Sequence, residues 1–430
     1  MTVKVIGAGL AGCEAAWQLA KRGVSVELCE MKPQKKTPAH KTDMLAELVC
    51  SNSFKAARVN SAAGLLKEEM RRLGSLLMEC ADSCAVPAGG ALAVDRTLFS
   101  EMVTKRIKEC PNITLREIEL EKLPEDGICV VATGPLTSDA LANDIKTRFG
   151  GALSFFDAAA PIVTAESINM EKAFSASRYG KGDGDDYINC PMNKAEYELF
   201  HSELVSAERT PLHGVDVQNP KVYEGCMPIE VMAQRGADTI RFGPMKPVGL
   251  IDPRTGHRPW AVLQLRKENS EGTMYNLVGF QTNLKFGEQK RVFGLIPALE
   301  NAEFVRFGVM HRNTFIDSPR LLNSDFSLRS DSRLFFAGQM TGVEGYMESA
   351  SSGLIAGINA AAKAGACEPL VPPKYTMIGA LCAYISDESV SDFQPMGANL
   401  GVLPPLETHI RDKKERAQAY ADRALEFYES

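Results

Sequence analysis

The 430-residue chain predicts an α/β protein, a Rossmann-like dinucleotide-binding fold interrupted by an inserted α+β domain. Three features predict it. A strand, a glycine-rich turn, a helix and a second strand open the chain. Short apolar strands return near residues 128–132 and 334–337, each followed closely by a glycine. Between them, residues 155–310 are rich in Pro, Gly and short β-like runs. The expected divisions are 1–155 for the first part of the dinucleotide fold, 156–310 for the insertion and 311–430 for the second part with a C-terminal helix. Length alone supports about two or three domains.

The elements follow in order. Val3 to Ile6 is an apolar strand, Gly7 to Gly12 a turn, and Cys13 to Lys21 an Ala/Leu helix stopped by Gly23. Val24 to Cys29 is the second strand. Residues 60–84 and 97–109 read as helices, and Ile128 to Ala132 as a buried strand before Thr133-Gly134-Pro135. A helix is expected at 193–207 in the insertion. Leu334 to Ala337 leads into Gly338 and a glycine-spaced helix at 349–363. The last 25 residues predict a charged amphipathic helix packed on the surface.

Gly7, Ala8, Gly9, Leu10, Ala11 and Gly12 form G-x-G-x-x-G between strand and helix. The first glycine permits the tight turn, the second lets backbone approach a pyrophosphate, and the third lets helix and sheet pack closely. The helix N-terminus offers free N–H groups to the phosphates. Glu30, at the end of the second strand, suits ribose hydroxyls. Two later segments favour FAD over NAD. Val130 to Gly134 resembles the ATG strand of flavoproteins with a dinucleotide fold, which brings in Thr133 and Gly134. Leu334 to Gln339 resembles their C-terminal flavin strand, with Gly338 at the strand end and Gln339 where many carry Asp.

The net charge of −6 argues against a generic nucleic-acid coat. Charge is uneven, however. Residues 235–320 hold 13 Lys/Arg and 8 Asp/Glu, a local excess of five positive charges. Lys285, Lys290, Arg291, Arg306 and Arg312 could meet phosphates, or could form a solvated mixed-charge face. The eleven cysteines are scattered, with no CxxC pair, so neither zinc nor another metal is expected. This usage fits a reducing cytoplasm. Neither a signal-peptide pattern nor an apolar run of membrane-spanning length is expected.

Two cysteines lie in unusual surroundings. Cys50 precedes Ser51-Asn52-Ser53, which suggests a turn or a helix N-cap, and a helix N-terminus would favour its thiolate. Cys226 lies between Gly225 and Met227-Pro228, in an expected loop. Residue type alone leaves either free to be structural. Gly345 and Tyr346 follow the last flavin strand. Tyr346 could stack on a pterin or nicotinamide ring, or simply pack. His311 could cover a pterin, or be structural.

The runs GAGLAGCEAAWQLAKRG, ELVCSNSFK, GGALAVDR, YEGCMPIE, FGPMKPVGL, QTNLKFGEQKRVF, MHRNTFI and LFFAGQMTGVEGYMESASSGL occur in this order. Together they closely resemble the folate- and FAD-dependent tRNA (uracil-5-)-methyltransferases of bacteria. The resemblance covers nearly the whole chain except its last 40 or so residues. That family is a short relative of the flavoproteins that modify wobble uridines. The resemblance implies transfer of a one-carbon unit from methylenetetrahydrofolate, by way of the flavin, to C5 of a uracil, with NADH or NADPH as electron source. It implies 5-methyluridine at position 54, in the T-loop of tRNA. It makes Cys226 the nucleophile toward uracil C6, Cys50 the second thiol near the flavin, His311 and Tyr346 folate contacts, and the basic residues above RNA contacts. The chemistry suits the residue types. C5 of uracil is a weak nucleophile until a thiolate adds at C6, and a second group must then remove the C5 proton. The alternatives are the same chemistry on ribosomal RNA, a small-molecule flavin oxidoreductase, and a non-catalytic RNA-binding flavoprotein. The residues distinguish neither NADH from NADPH nor one oligomeric state from another.

Overall fold

The computed structural model describes residues 2–37, 39–150, 153–182, 184–211, 227–390 and 393–429. The opening reads as expected: β1 (Thr2–Ile6), α1 (Leu10–Lys21) and β2 (Ser25–Glu30). Strands β1 and β2 are parallel, Val5 opposite Leu28. On the other flank of β1 lies Cys129–Val131, with Val130 opposite Val5. Asp331–Phe336 joins that strand, again parallel. Ile113–Glu117 extends the sheet beyond β2, and the short strand Ser327–Leu328 closes the far edge antiparallel. The result is a six-stranded Rossmann-like sheet. The buried residues of its central strands are Val, Ile, Leu, Cys and Phe, with Glu30 at one strand end, because a parallel sheet is covered on both faces.

Helix α1 packs against the helix Tyr346–Lys363, which extends the expected 349–363 by three residues at its start. Side chains at Gly353 and Gly357 would collide with the backbone at Ala11 and Ala15, so glycine permits this close approach. Residues 60–84 form two helices where one was expected, Ala62–Arg72 and Leu76–Ser83. Gly74 and Ser75 break the run, and the Ser75 hydroxyl caps the second helix by accepting from the Met78 N–H. The predicted helices at 97–109 and 193–207 are Arg96–Glu109 and Lys194–Ser206, and the C-terminal one is Lys413–Glu426.

Residues 162–306 build a separate six-stranded sheet, antiparallel throughout, with its own apolar core. Two antiparallel strands, Leu153–Ala158 and Met310–Phe315, stand where the chain enters and leaves this unit. A polar seam joins the two bodies. Arg96 meets Glu268, Arg266 Nε donates to Asn52 Oδ1 at 2.9 Å, Asp95 Oδ2 accepts from the Ser270 N–H at 2.9 Å, and Asp186 Oδ2 accepts from the Gly89 N–H at 2.6 Å. Among the described residues no helix is long and apolar enough to cross a membrane, and no group of three or more His, Cys, Asp or Glu could hold a metal ion.

Candidate active site

The glycine turn lines a pocket with about 640 Å³ of empty space, partly open to solvent. Gly7 has φ +92°, and a Cβ there would press on the Ala132 carbonyl at 2.6 Å. A Cβ at Gly12 would overlap the Gly7 carbonyl, whereas one at Gly9 would meet no atom within 4 Å. Two glycines therefore close the fold, and the third leaves space for a ligand. Gly9 caps α1 without any side-chain cap, so the first N–H groups of the helix stay available. Glu30 lies at the pocket wall. Its Oε2 accepts from the Ala8 N–H at 2.7 Å and its Oε1 from the Lys32 N–H at 3.0 Å. Leu10 and Ala11 are buried in the first turn of α1. Thr133, on the opposite wall, shares a 2.7 Å hydroxyl contact with Thr137, and Gly134 follows with φ +68°. Cradle, carboxylate and uncapped helix end fit the adenosine and pyrophosphate of FAD.

The second flavin segment converges from the other side. Gly338 follows strand Asp331–Phe336 and donates its N–H to Ser352 Oγ at 2.7 Å. Gln339 is engaged by the protein itself, donating from Nε2 to Glu344 Oε2 at 2.6 Å. Gly345 precedes the helix that begins at Tyr346, and that helix end also lacks a side-chain cap.

Tyr346 connects this segment to Cys50. Its hydroxyl oxygen accepts from the Cys50 N–H at 2.7 Å and the Ser51 N–H at 3.1 Å, and its ring meets Phe54 edge-on at 6.0 Å. The hydroxyl thus serves the backbone rather than standing free. Burial, then the neighbouring Cys50 sulfur, push its pKa well above the ordinary phenol range. Of the turn or helix N-cap expected after Cys50, the helix N-cap is absent. Ser53–Ala56 is a strand, so no helix starts directly after the thiol. Side chains around the loop do the holding instead. Arg96 donates to the Leu48 carbonyl and Arg306 to the Val49 carbonyl, and Arg266 reaches Ser51 Oγ at 2.9 Å. Asn52 Nδ2 donates to the carbonyls of Val94 and Lys267 at 3.0 and 2.9 Å. Left-handed backbone at Ala46 (φ 49°) and Lys55 (φ 62°) brackets the loop, conformations that cost roughly 1–2 kcal/mol each outside glycine. Three guanidiniums face one buried carboxylate, Glu268, whose Oε2 has no partner among the described residues. Burial lowers the pKa of Arg266 and Arg306. The surroundings of Cys50 therefore carry surplus positive charge.

The remaining sequence expectations divide. Cys226 lies outside the described residues. His311 and Arg312 lie on strand Met310–Phe315, opposite Asp157 and Phe156, and their side chains lie outside what is described. Of the ten cysteines described, seven are buried, and Cys50, Cys110 and Cys367 are half-buried. Cys29 and Cys129 are buried thiols as expected, with pKa raised by burial to about 11 and about 12. Arg306 turns inward to the Cys50 loop, not outward as a surface phosphate contact would. Lys285 pairs with Glu208, Arg291 pairs with Glu203 and Glu288, and Lys290 lies over the Phe307 ring at 5.7 Å.

The family described as "Glucose inhibited division protein A" matches residues 2–368. "Methylenetetrahydrofolate--tRNA-(uracil-5-)-methyltransferase TrmFO" of Acetivibrio thermocellus is 61% identical over 424 residues, 98% of this chain and 97% of the relative. Its namesake in Desulfitobacterium hafniense is 60% identical over 98% of this chain and 96% of its own. The chain belongs to the GIDA family, among the TrmFO proteins. The crystal structure of Aquifex aeolicus GidA, at 17% identity and TM-score 0.71, covers 100% of this chain with 73% of its own length and shares its fold.

Several residues of this TrmFO-family site escaped sequence reading. Lys32, His40 and Glu47 line the dinucleotide pocket, and Arg96, Asn52, Arg266 and Glu268 surround the Cys50 loop. One signal was present. Arg266 follows the largely apolar run Ala261–Leu265 and is itself buried, where a charge costs several kcal/mol unless it is paired.

Proposed function

We infer that the chain forms 5-methyluridine in tRNA, with methylenetetrahydrofolate as one-carbon donor, FAD bound in the glycine-lined pocket and NADH or NADPH as electron source. The observation that carries this reading is Cys50. It is half-buried, clamped to the flavin-side helix by Tyr346 and surrounded by positive charge, in a chain about 60% identical to TrmFO proteins along nearly its whole length. Position 54 of the T-loop is the proposed target and the cytoplasm the proposed compartment.

FAD, when bound, supplies the one-carbon carrier and the reducing equivalents. Gly7, Ala8, Gly9, Leu10, Ala11 and Gly12 hold its pyrophosphate, Glu30 its ribose, Thr133 and Gly134 the pocket wall, and Gly338, Gln339, Gly345 and Tyr346 its flavin side. Cys226 adds to uracil C6. Cys50 acts at C5, where a proton must leave. The guanidiniums of Arg96, Arg266 and Arg306 favour the negative charge that the added thiolate places on the pyrimidine. His311 and Tyr346 contact the folate. Residues 156–310 act as the substrate-facing insertion between the two parts of the FAD domain, 1–155 and 311–430. The target base is stacked in its loop and is flipped out to react.

The test incubates the purified protein with unmodified tRNA, methylenetetrahydrofolate and NADPH, without S-adenosylmethionine. Formation of 5-methyluridine is expected, and ribosomal RNA in place of tRNA distinguishes the substrates. Cys226→Ala should fold and bind FAD yet lose transfer. Near-normal transfer by that variant removes the nucleophile assignment.

A further inference from the structure

The inserted body carries a broad groove with about 2180 Å³ of empty space, much of it open to solvent. It lies at the Met192 and Trp260 end of the antiparallel sheet. The Cys50 loop is at the other end, where Arg266 meets Ser51 and Asn52. Six residue steps of strand lead from Trp260 to Arg266, a span of about 20 Å at roughly 3.3 Å per residue. The groove is therefore a separate surface from the candidate active site.

Its lining is basic. Lys172, Lys194, Arg241, Lys246, Arg254 and Arg258 face three acids, Glu196, Asp252 and Glu300. Four cations are balanced locally, Lys172 by Glu300 at 2.7 Å, Arg254 by Asp252 at 2.6 Å, Lys194 by Glu198 at 3.6 Å and Arg241 by Asp238 at 3.4 Å. Lys246 and Arg258 are exposed and have no ion pair among the described residues. The floor is aromatic. The Arg241 guanidinium lies 3.8 Å from the centre of the Trp260 ring, Lys194 Nζ 5.6 Å from it, and Phe242 beside them is 70% exposed. Cations interleaved with accessible rings suit a polyanion that also presents flat faces, the chemistry of a nucleic-acid strand.

We propose that this groove is a docking site for the sugar-phosphate backbone of the RNA substrate, remote from the reacting uridine. The proposal rests on the RNA-methyltransferase reading above and extends it. About 20 Å corresponds to roughly six steps of a strand at 3.4 Å per phosphate. The phosphates held there belong to RNA flanking the target loop, so the groove discriminates whole RNA from an isolated hairpin.

The experiment compares wild type, Lys246→Glu/Arg258→Glu and a control, Lys105→Glu/Lys108→Glu, which makes the same change in net charge on the other body. Binding of an unmodified tRNA transcript is measured by fluorescence anisotropy at several salt concentrations. KM and kcat are measured on the transcript and on a hairpin holding only the target loop and its stem. The groove variant should bind the transcript about tenfold or more weakly, with a log–log salt slope shallower by about two. Its KM for the transcript should rise with kcat, FAD content and hairpin KM unchanged, while the control behaves as wild type. Unaltered transcript binding overturns the proposal, and so does an equal loss on the hairpin or in the control. Failure of wild type to form 5-methyluridine would sink the enzymatic reading alone, because anisotropy tests the groove without turnover.

Discussion

Tyr346 shows how one side chain can serve two parts of a site. Its hydroxyl oxygen gathers the N–H groups of Cys50 and Ser51, so the thiol's position depends on a residue nearly three hundred positions away in sequence. Tyr346→Phe would keep the ring on Phe54 but leave two half-buried donors without their acceptor. The expected cost is about 1–3 kcal/mol, read as a lower midpoint of thermal unfolding. Transfer activity should fall about tenfold with FAD retained, because the loop no longer holds Cys50 in register. If both midpoint and turnover match wild type, the hydroxyl is not the loop's anchor. The sequence left Tyr346 as a ring that stacks on a ligand or simply packs. Its use as a hydrogen-bond acceptor could not be read, since its partners come from a distant loop.

At the scale of elements, helix ends are tied together by buried acids. Glu69, inside helix Ala62–Arg72, accepts from the N–H groups of Met377 and Ile378 at 2.7 and 2.8 Å and from the Tyr428 hydroxyl at 3.2 Å. It thereby joins that helix, the start of Met377–Tyr384 and the chain's C-terminal end. Burial raises its pKa to about 7, against the opposing pull of those hydrogen bonds. An acid with a raised folded-state pKa is protonated in both states below about pH 4.5. Between there and pH 7 the unfolded state ionises first, so stability falls as pH rises, and above pH 7 the penalty is complete. The loss is about 3 kcal/mol. Measured against Glu69→Gln in urea, wild type should lose this amount across that window. A difference that does not change with pH would remove the explanation. Nothing in residues 60–84 announced this role, since a lone Glu on a charged helix reads as a surface residue.

For the whole molecule, the decisive feature is the polar seam between the flavin body and the inserted body. Arg96 and Glu268 meet across it, and Arg266 and Asn52 cross beside them. Glu268 is only 3% exposed, so the pair is shielded from water. Glu268→Ala would leave three guanidiniums crowded around the Cys50 loop without a carboxylate. A loss of about 3 kcal/mol is expected from breaking such a pair on one side, measured by urea unfolding, with hydrogen exchange in residues 47–56 accelerated. Unchanged stability and exchange would mean that the seam is not held by this pair.

The sequence by itself determined the architecture of the first body. Val, Ile and Leu strands flanking G-x-G-x-x-G are local patterns, and local patterns dictate a parallel sheet with a ligand at its edge. The break in texture near residues 155 and 310 is the sequence's own proposal for the bounds of the insertion, and a second sheet lies between them. Ordered motifs along the chain pointed to the family that the 61% identical relative bears out. Only the tertiary structure decided what surrounds Cys50. A strand rather than a helix follows it, and its loop is held by Arg96, Arg266, Arg306 and Tyr346, residues from four separate segments. It also decided how the basic residues are paired: Lys285 and Arg291 form ion pairs, whereas Lys246 and Arg258 have none among the described residues. The reason is the same in both cases. Periodicity and turn chemistry act between neighbours in sequence, whereas charge pairing and loop anchoring join residues that become neighbours only when the chain has folded.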